Sequence, residues 1–270
     1  MSKLEHAARL FASAGAAGVL REGAAALERS AAGQWWGRDH PALGSLLRRA
    51  GGTMRIDGCW FSTQHPQMTD GLRSRMLLGR YERPERALLR ALLDPGAPVV
   101  ELGGGLGVIA CITNRRLTHP SNHIVVEPNV TLMPVLEKHR RWNKCSFEIV
   151  HAAISYSGAD AVHLDVHRDF ISARVGVDKG QEPSVPVVTL ASLLTRNPVH
   201  NATLICDIEG IEVPLVEHEC DVLRSAFTML FIEIHPWTRQ DYPAMFARLA
   251  SSGFRMIAVR GKVHAFRQGA

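Results

Sequence analysis

Aromatic residues make up only 6% of this chain, and cysteine is scarce. The five cysteines (Cys59, Cys111, Cys145, Cys206 and Cys220) are odd in number and far apart, with no C-x-x-C among them. That spacing excludes a disulfide framework and a zinc knuckle. Several stand in apolar runs, where a reduced thiol behaves as a small hydrophobe. A reducing, cytoplasmic setting is the expectation. Long hydrophobic stretches are also lacking, and none reaches the length of a membrane span. No basic run interleaves with aromatics in the way base stacking requires. Lys and Arg exceed Asp and Glu by five, yet only Arg48-Arg49, Arg115-Arg116 and His139-Arg140-Arg141 are dense. Nucleic acid is therefore not expected as a partner.

What remains is an ordinary globular composition, 46% hydrophobic and 21% charged, in 270 residues that can bury a real core. Leu10 to Leu20 is apolar and follows Lys3 and Arg9, which faintly mimics a secretory leader. Glu5 lies in the would-be charged region, however, and the run continues into Arg21, Glu22 and a helical Ala24 to Arg29. An amphipathic helix is expected there. Thr53 to Ser62 carries β-formers in alternation and reads as a strand or hairpin. Residues 1–75 form a helical and hairpin extension in this reading, a lid or substrate wall. Pro84 opens a helix through Leu93, where its missing N–H costs nothing.

From Ala97 onward the pattern changes. Short apolar runs at Pro98–Leu102, His123–Glu127, Ser146–Val150, Thr203–Asp207 and Met229–Ile234 alternate with helical stretches such as Val108–Leu117 and Val130–Trp142. Strands apolar throughout, separated by helices, predict a doubly wound, mostly parallel α/β sheet over residues 76–270. Met256–Val259 and Val263–Arg267, split by Gly261, predict a final antiparallel pair.

Three motifs fall at the C-terminal ends of predicted strands, where open α/β sheets bind ligands. The first is Glu101-Leu102-Gly103-Gly104-Gly105-Leu106-Gly107, a strand entering a turn whose backbone can approach a ligand closely. A dinucleotide fingerprint wants a glycine at its sixth position, which here is Val108. Glycines at one, three and five behind an acidic residue resemble the S-adenosylmethionine-dependent methyltransferase pattern instead. There the turn cradles the methionine part and the acid, here Glu101, faces the cofactor's cationic end. The second motif is Glu127-Pro128-Asn129, with a carboxylate placed to accept two ribose hydroxyls. The third is Asp207-Ile208-Glu209-Gly210-Ile211-Glu212, two carboxylates two residues apart at a strand exit. Glu233 and His235 end the following strand, and a buried acid there must be paired or working.

Together with Tyr81-Glu82, His151-Ala152-Ala153-Ile154-Ser155 and Val188-Thr189-Leu190, these motifs occur in the order found in the FkbM-type methyltransferases, which the chain resembles over roughly 54–266. The resemblance implies a seven-stranded, Rossmann-like class I methyltransferase sheet. It also implies S-adenosyl-L-methionine as methyl donor and, most often, O-methylation of a sugar, glycolipid or polyketide-type natural product. By the same match, Ala152 and Ala153 would lie by the adenine, and Glu82, beside Tyr81, near the methionine end. Gly105 departs from the family's D-V-G-A-N-x-G turn by replacing the asparagine.

Methyl transfer to a hydroxyl needs the two partners held in line, which positioning supplies at about 7–11 kcal/mol. It also needs a base, adding about 10²–10⁴-fold. His235 is the first candidate, on the ground that a neutral imidazole suits pH 7. Asp207 or Glu209 is the second, and a divalent ion on Asp207, Glu209 and Glu233 is a third. His163 and His167 are four apart, but their surroundings read as strand and loop, so no metal pair is assigned. The expected acceptor is a small or glycosylated molecule, and a homodimer is left open. N- or C-methylation and a silent cofactor-binding module are the alternatives.

Overall fold

The computed structural model describes residues 39–166, 173–176, 184–238 and 240–269. The amphipathic helix expected between 10 and 29, Trp35, Trp36 and His167 lie outside the described residues. The chain divides into two compact units, one ending at Arg83 and the other beginning at Pro84.

In the first unit, helix α1 (Pro41–Arg49) precedes strands β1 (Thr53–Ile56) and β2 (Cys59–Ser62) and helix α2 (Asp70–Leu77). The strands form an antiparallel hairpin with Ile56 opposite Cys59. Its two-residue turn, Asp57-Gly58, has positive φ at both positions, the geometry that matches strand twist.

The second unit opens with α3 (Arg83–Leu92), β3 (Val99–Leu102), α4 (Val108–Asn114), β4 (His123–Val126), α5 (Met133–Trp142) and β5 (Glu148–Val150). Strands β6 (Ala153–Ile154), β7 (Ala161–Val166), β8 (Ala173–Gly176) and β9 (Ser184–Val188) follow. The chain continues through α6 (Leu190–Arg196), β10 (Ala202–Cys206), α7 (Glu212–Ala226), β11 (Phe227–Glu233), α8 (Tyr242–Ser251), β12 (Phe254–Arg260) and β13 (Val263–Gln268). Seven strands make one sheet in the order β12-β13-β11-β10-β3-β4-β5. All neighbours run parallel except β13, which is antiparallel to both β11 and β12. This is the doubly wound, Rossmann-like class I methyltransferase arrangement, with one reversed strand inserted next to the edge.

Why the central strands are mostly apolar is visible in the packing. Val100, Leu102, Leu204, Leu230 and Ile232 face a core with Leu193 of α6, Leu215 and Leu223 of α7, and Met245 and Leu249 of α8. The alternate residues Val99, Ile205 and Phe231 face Leu88 and Leu89 of α3 and Ile109 of α4. A sheet covered on both faces leaves no polar side. One feature was not anticipated from the sequence: β6-β9-β7-β8 form a separate small sheet between β5 and α6. Its strands are short, and His163 interrupts the apolar pattern on which strand recognition depends. No helix among the described residues is long and apolar enough to cross a membrane.

Candidate functional site

The strand order reverses between β3 and β10: the chain leaves β3 toward β4 and β5, then returns to β10 on the other side. At such a switch point the two outgoing loops diverge and leave a crevice. Leu102 pairs with Cys206, and Asp207 N–H donates to the Leu102 carbonyl at 3.0 Å. The loops are so close here that any side chain on Gly103 would overlap the Asp207 carbonyl oxygen. Gly103, Gly105 and Gly107 have φ of 93°, 51° and 77°, which glycine adopts at no steric cost. His139 of α5 donates from Nδ1 to the Leu106 carbonyl at 2.7 Å, holding the turn from behind.

Glu127 faces this turn. Its Oε2 accepts from Gly105 N–H at 2.6 Å and its Oε1 from Asn129 N–H at 2.7 Å. Burial pushes the carboxyl up to about 7. The two N–H donors counter part of that shift, and the charge of Asp207 adds to it. The Pro128 carbonyl accepts from His151 Nε2 at 3.0 Å, which ties the loop after β4 to the loop after β5. Ala152 and Ala153, both buried, follow directly. Glu101 sits differently. Its side chain is buried on the α3 and α4 side of the sheet, 3.4 Å from His123 Nε2. Burial holds His123 down at about 3, so the ring is neutral.

The ends of β10 and β11 bring together four side chains. His235 Nε2 lies 3.3 Å from Asp207 Oδ1 and 3.5 Å from Glu209 Oε2, and its Nδ1 lies 2.7 Å from Glu212 Oε1. Burial alone would lower the imidazole, but the adjacent carboxylates of Asp207 and Glu212 outweigh it and raise it to about 10. The neutral imidazole expected from the sequence is therefore replaced by an imidazolium. Ligand atoms of Asp207, Glu209 and His235 fall within 4.8 Å of one another, a spacing that would also suit a divalent ion. Glu233, half-buried one strand-end away, is pushed up to about 7 by burial and by Asp207, with His235 and Lys262 pulling the other way. Glu209 itself has a φ of 50°, strain of about 1–2 kcal/mol for a side chain that large.

Sequence reasoning gave two residues at this site no role, although Glu212 closes the third motif. Glu212, the first residue of α7, is fully buried. An acid in the first turn of a helix normally reads as a partner of the helix dipole, which masked it. Tyr242, at the start of α8, takes His235 N–H on its hydroxyl at 2.9 Å and lies 3.1 Å from the His235 carbonyl. Tyr242→Phe should cost about 1–2 kcal/mol in urea unfolding, because it leaves a buried backbone N–H unpaired. Gln240 and Thr238 close over the same loop, Gln240 Nε2 donating to the Gly210 carbonyl. Tyr81 and Glu82 lie in the first unit, Tyr81 buried and Glu82 with a φ of 49°.

No family model matches the chain, and no curated protein matches it. Solved structures of similar fold are methyltransferases at low identity. The ribosomal protein L11 methylase of Lactobacillus delbrueckii subsp. bulgaricus is 12% identical, with a TM-score of 0.42 over 69% of this chain and 77% of that one. Aeropyrum pernix fibrillarin, crystallised with natively bound S-adenosyl-L-methionine, is 14% identical with a TM-score of 0.40, covering 68% and 72%. The precorrin-6y C5,15-methyltransferase of Geobacter metallireducens GS-15 is 10% identical with a TM-score of 0.41, covering 68% and 87%. These likenesses concern the fold, which the strand order of this chain establishes by itself.

Proposed function

We propose that this chain binds S-adenosyl-L-methionine in the crevice beside the Gly103–Gly107 turn and transfers its methyl group to a hydroxyl of a small or glycosylated acceptor, in the manner of the FkbM-type enzymes. One observation carries the reading: the glycine turn after β3 is bonded to the carboxylate ending β4, and both adjoin Asp207 at the switch point. The chemistry of this donor set fits the cofactor. Each Glu127 oxygen takes one N–H and keeps a lone pair, so the carboxylate can still accept two ribose hydroxyls. Gly103, Gly105 and Gly107 bring bare backbone to the methionine part. Ala152 and Ala153 offer a small apolar wall to the adenine. Pro128 and Asn129, beside Glu127 on the same loop, complete the proposed binding set.

When bound, the cofactor supplies an already activated methyl group on a sulfonium. The protein then has to bind, align and accept a proton. Accessibility decides which group takes that proton. His235 and Glu212 side chains are 2% and 0% exposed, whereas Asp207 keeps 29% and Glu209 17%. Asp207 is therefore the proposed proton acceptor, Glu209 stands beside it, and His235 is a positioning residue behind both. Glu233 contributes negative potential to the same edge. The scattered basic residues favour a small acceptor over nucleic acid.

Calorimetric titration with S-adenosylmethionine and S-adenosylhomocysteine tests this. Wild-type protein should bind both, and Glu127→Ala should weaken binding on the order of 100-fold, the loss of two hydrogen bonds to a charged acceptor. No binding by folded wild-type protein would sink the reading, and binding without turnover on any hydroxylated acceptor would favour the silent module. The pH dependence has a definite sign. Glu127 titrates near 7, and its ionised form is the better acceptor, so affinity should rise as pH increases through 7.

A further inference from the structure

We infer that Glu212 is a positioning residue, clamping the loops that leave β10 and β11 so that His235 holds Asp207 and Glu209 at the crevice. The inference rests on the proposed proton-accepting role of Asp207 and deepens it. One buried oxygen makes the clamp: Glu212 Oε1 takes Nδ1–H of His235 at 2.7 Å and Gly210 N–H at 3.2 Å. The first donor belongs to the segment after β11 and the second to the loop after β10. Neither loop touches the other through regular sheet hydrogen bonds at this level, because the ladder between the strands ends at Cys206 and Ile232.

Holding Nδ1 orients the ring, as buried partners do for imidazoles in metal and catalytic sites, and leaves Nε2 at ion-pair distance from Asp207 Oδ1 (3.3 Å) and Glu209 Oε2 (3.5 Å). Tyr242 and Thr238 pin the His235 backbone from the opposite side, Thr238 Oγ1 donating to the His235 carbonyl at 2.7 Å. The residue is thereby held at its ring Nδ1 and at its backbone N–H and carbonyl. Glu212 Oε2 is buried and makes no hydrogen bond among the described residues. A half-satisfied buried carboxylate is costly, which an apolar residue at this first helical position would avoid. Its contribution is to the geometry of the crevice rim. The charged and titratable groups facing His235 are Asp207 and Glu209 from the loop after β10, Glu212 from α7 and Tyr242 from α8. Glu233 of β11 acts on it as well, with Lys262 opposite Glu233.

The test needs no acceptor. Nuclear magnetic resonance on protein with ¹⁵N-labelled histidine and ¹³C-labelled aspartate follows the His235 ring and the Asp207 carboxyl, assigned with His235→Gln and Asp207→Asn. In wild type the ring should keep both protons through pH 8, with Nδ1–H strongly downfield. In Glu212→Gln the downfield proton should vanish, the ring midpoint should fall by at least about two pH units toward its ordinary value, and the Asp207 carboxyl signal should move. A structural pair confined to α7 and β11 would leave Asp207 unmoved, and that result overturns the inference. So does a wild-type ring with no downfield Nδ1–H, an outcome available even if Glu212→Gln does not fold. S-adenosylhomocysteine calorimetry on wild type runs alongside. Its failure would remove the methyltransferase reading without touching the ring's titration.

Discussion

Gly103→Ala should lower stability by about 2–5 kcal/mol and shift the thermal midpoint down by roughly 10 °C. Two costs add. Position 103 has a φ of 93°, where an L side chain is strained, and the new methyl would overlap the Asp207 carbonyl. That oxygen belongs to backbone tied to β3 through Asp207 N–H and Leu102, so no side-chain rotation can relieve the overlap. The loops at the end of β3 and β10 must separate, and the crevice opens with them. S-adenosylhomocysteine binding should be lost in the same variant. Gly158 is the internal control: its φ is 78°, but none of the described residues lies within 4 Å of where a Cβ would stand. Gly158→Ala should therefore cost only the backbone strain, about 1–2 kcal/mol. Equal losses at the two positions, measured by urea unfolding, would mean that the close approach of the two loops carries no energetic weight.

His235→Leu should be the second severe change, at about 3–5 kcal/mol, because it strands buried Glu212 without its cation. Glu212→Leu in addition should recover part of that loss, since two apolar residues of similar volume leave no buried charge. A double variant less stable than His235→Leu would refute the pairing. The pH dependence of the wild type follows from the same contacts. His235 is raised from 6.5 to about 10 in the fold, so its stabilisation is complete below pH 6.5 and is lost as pH rises through 10. Within that window the slope should approach about 1.4 kcal/mol per pH unit. Glu127 and Glu233 are raised from 4.5 to about 7, so their shares are present below 4.5 and lost as pH rises through 7. Stability measured by denaturant midpoints should therefore decline from acid to alkaline pH, and His235→Leu should flatten the limb above pH 7.

Much of this molecule can be read from local signals. Val99–Leu102, His123–Val126 and Ala202–Cys206 are mostly apolar and buried along their whole length because both sheet faces are covered, and that pattern predicts a parallel sheet. Gly103, Gly105 and Gly107 announce a turn with positive φ, since each position's freedom is a property of the residue itself. The carboxylates at 127 and 207 were recognisable because strand ends in such folds have a known polarity.

The charge state of the site was not readable in this way. His235 looked like a neutral base because its unperturbed value suits pH 7, and the three acids around it come from elsewhere in the chain. Glu212 is 23 residues away in sequence yet 2.7 Å away in space. Glu101 presents the converse case: the motif suggested a residue facing the crevice, while strand alternation turns it into the α3 side against His123. Hydrophobic period and turn chemistry act over a few residues, so the sequence by itself determined the sheet, its glycine turn and the acids at its strand ends. Protonation and orientation depend on which charges meet across the switch point in a water-poor interior, and only the tertiary structure decided those.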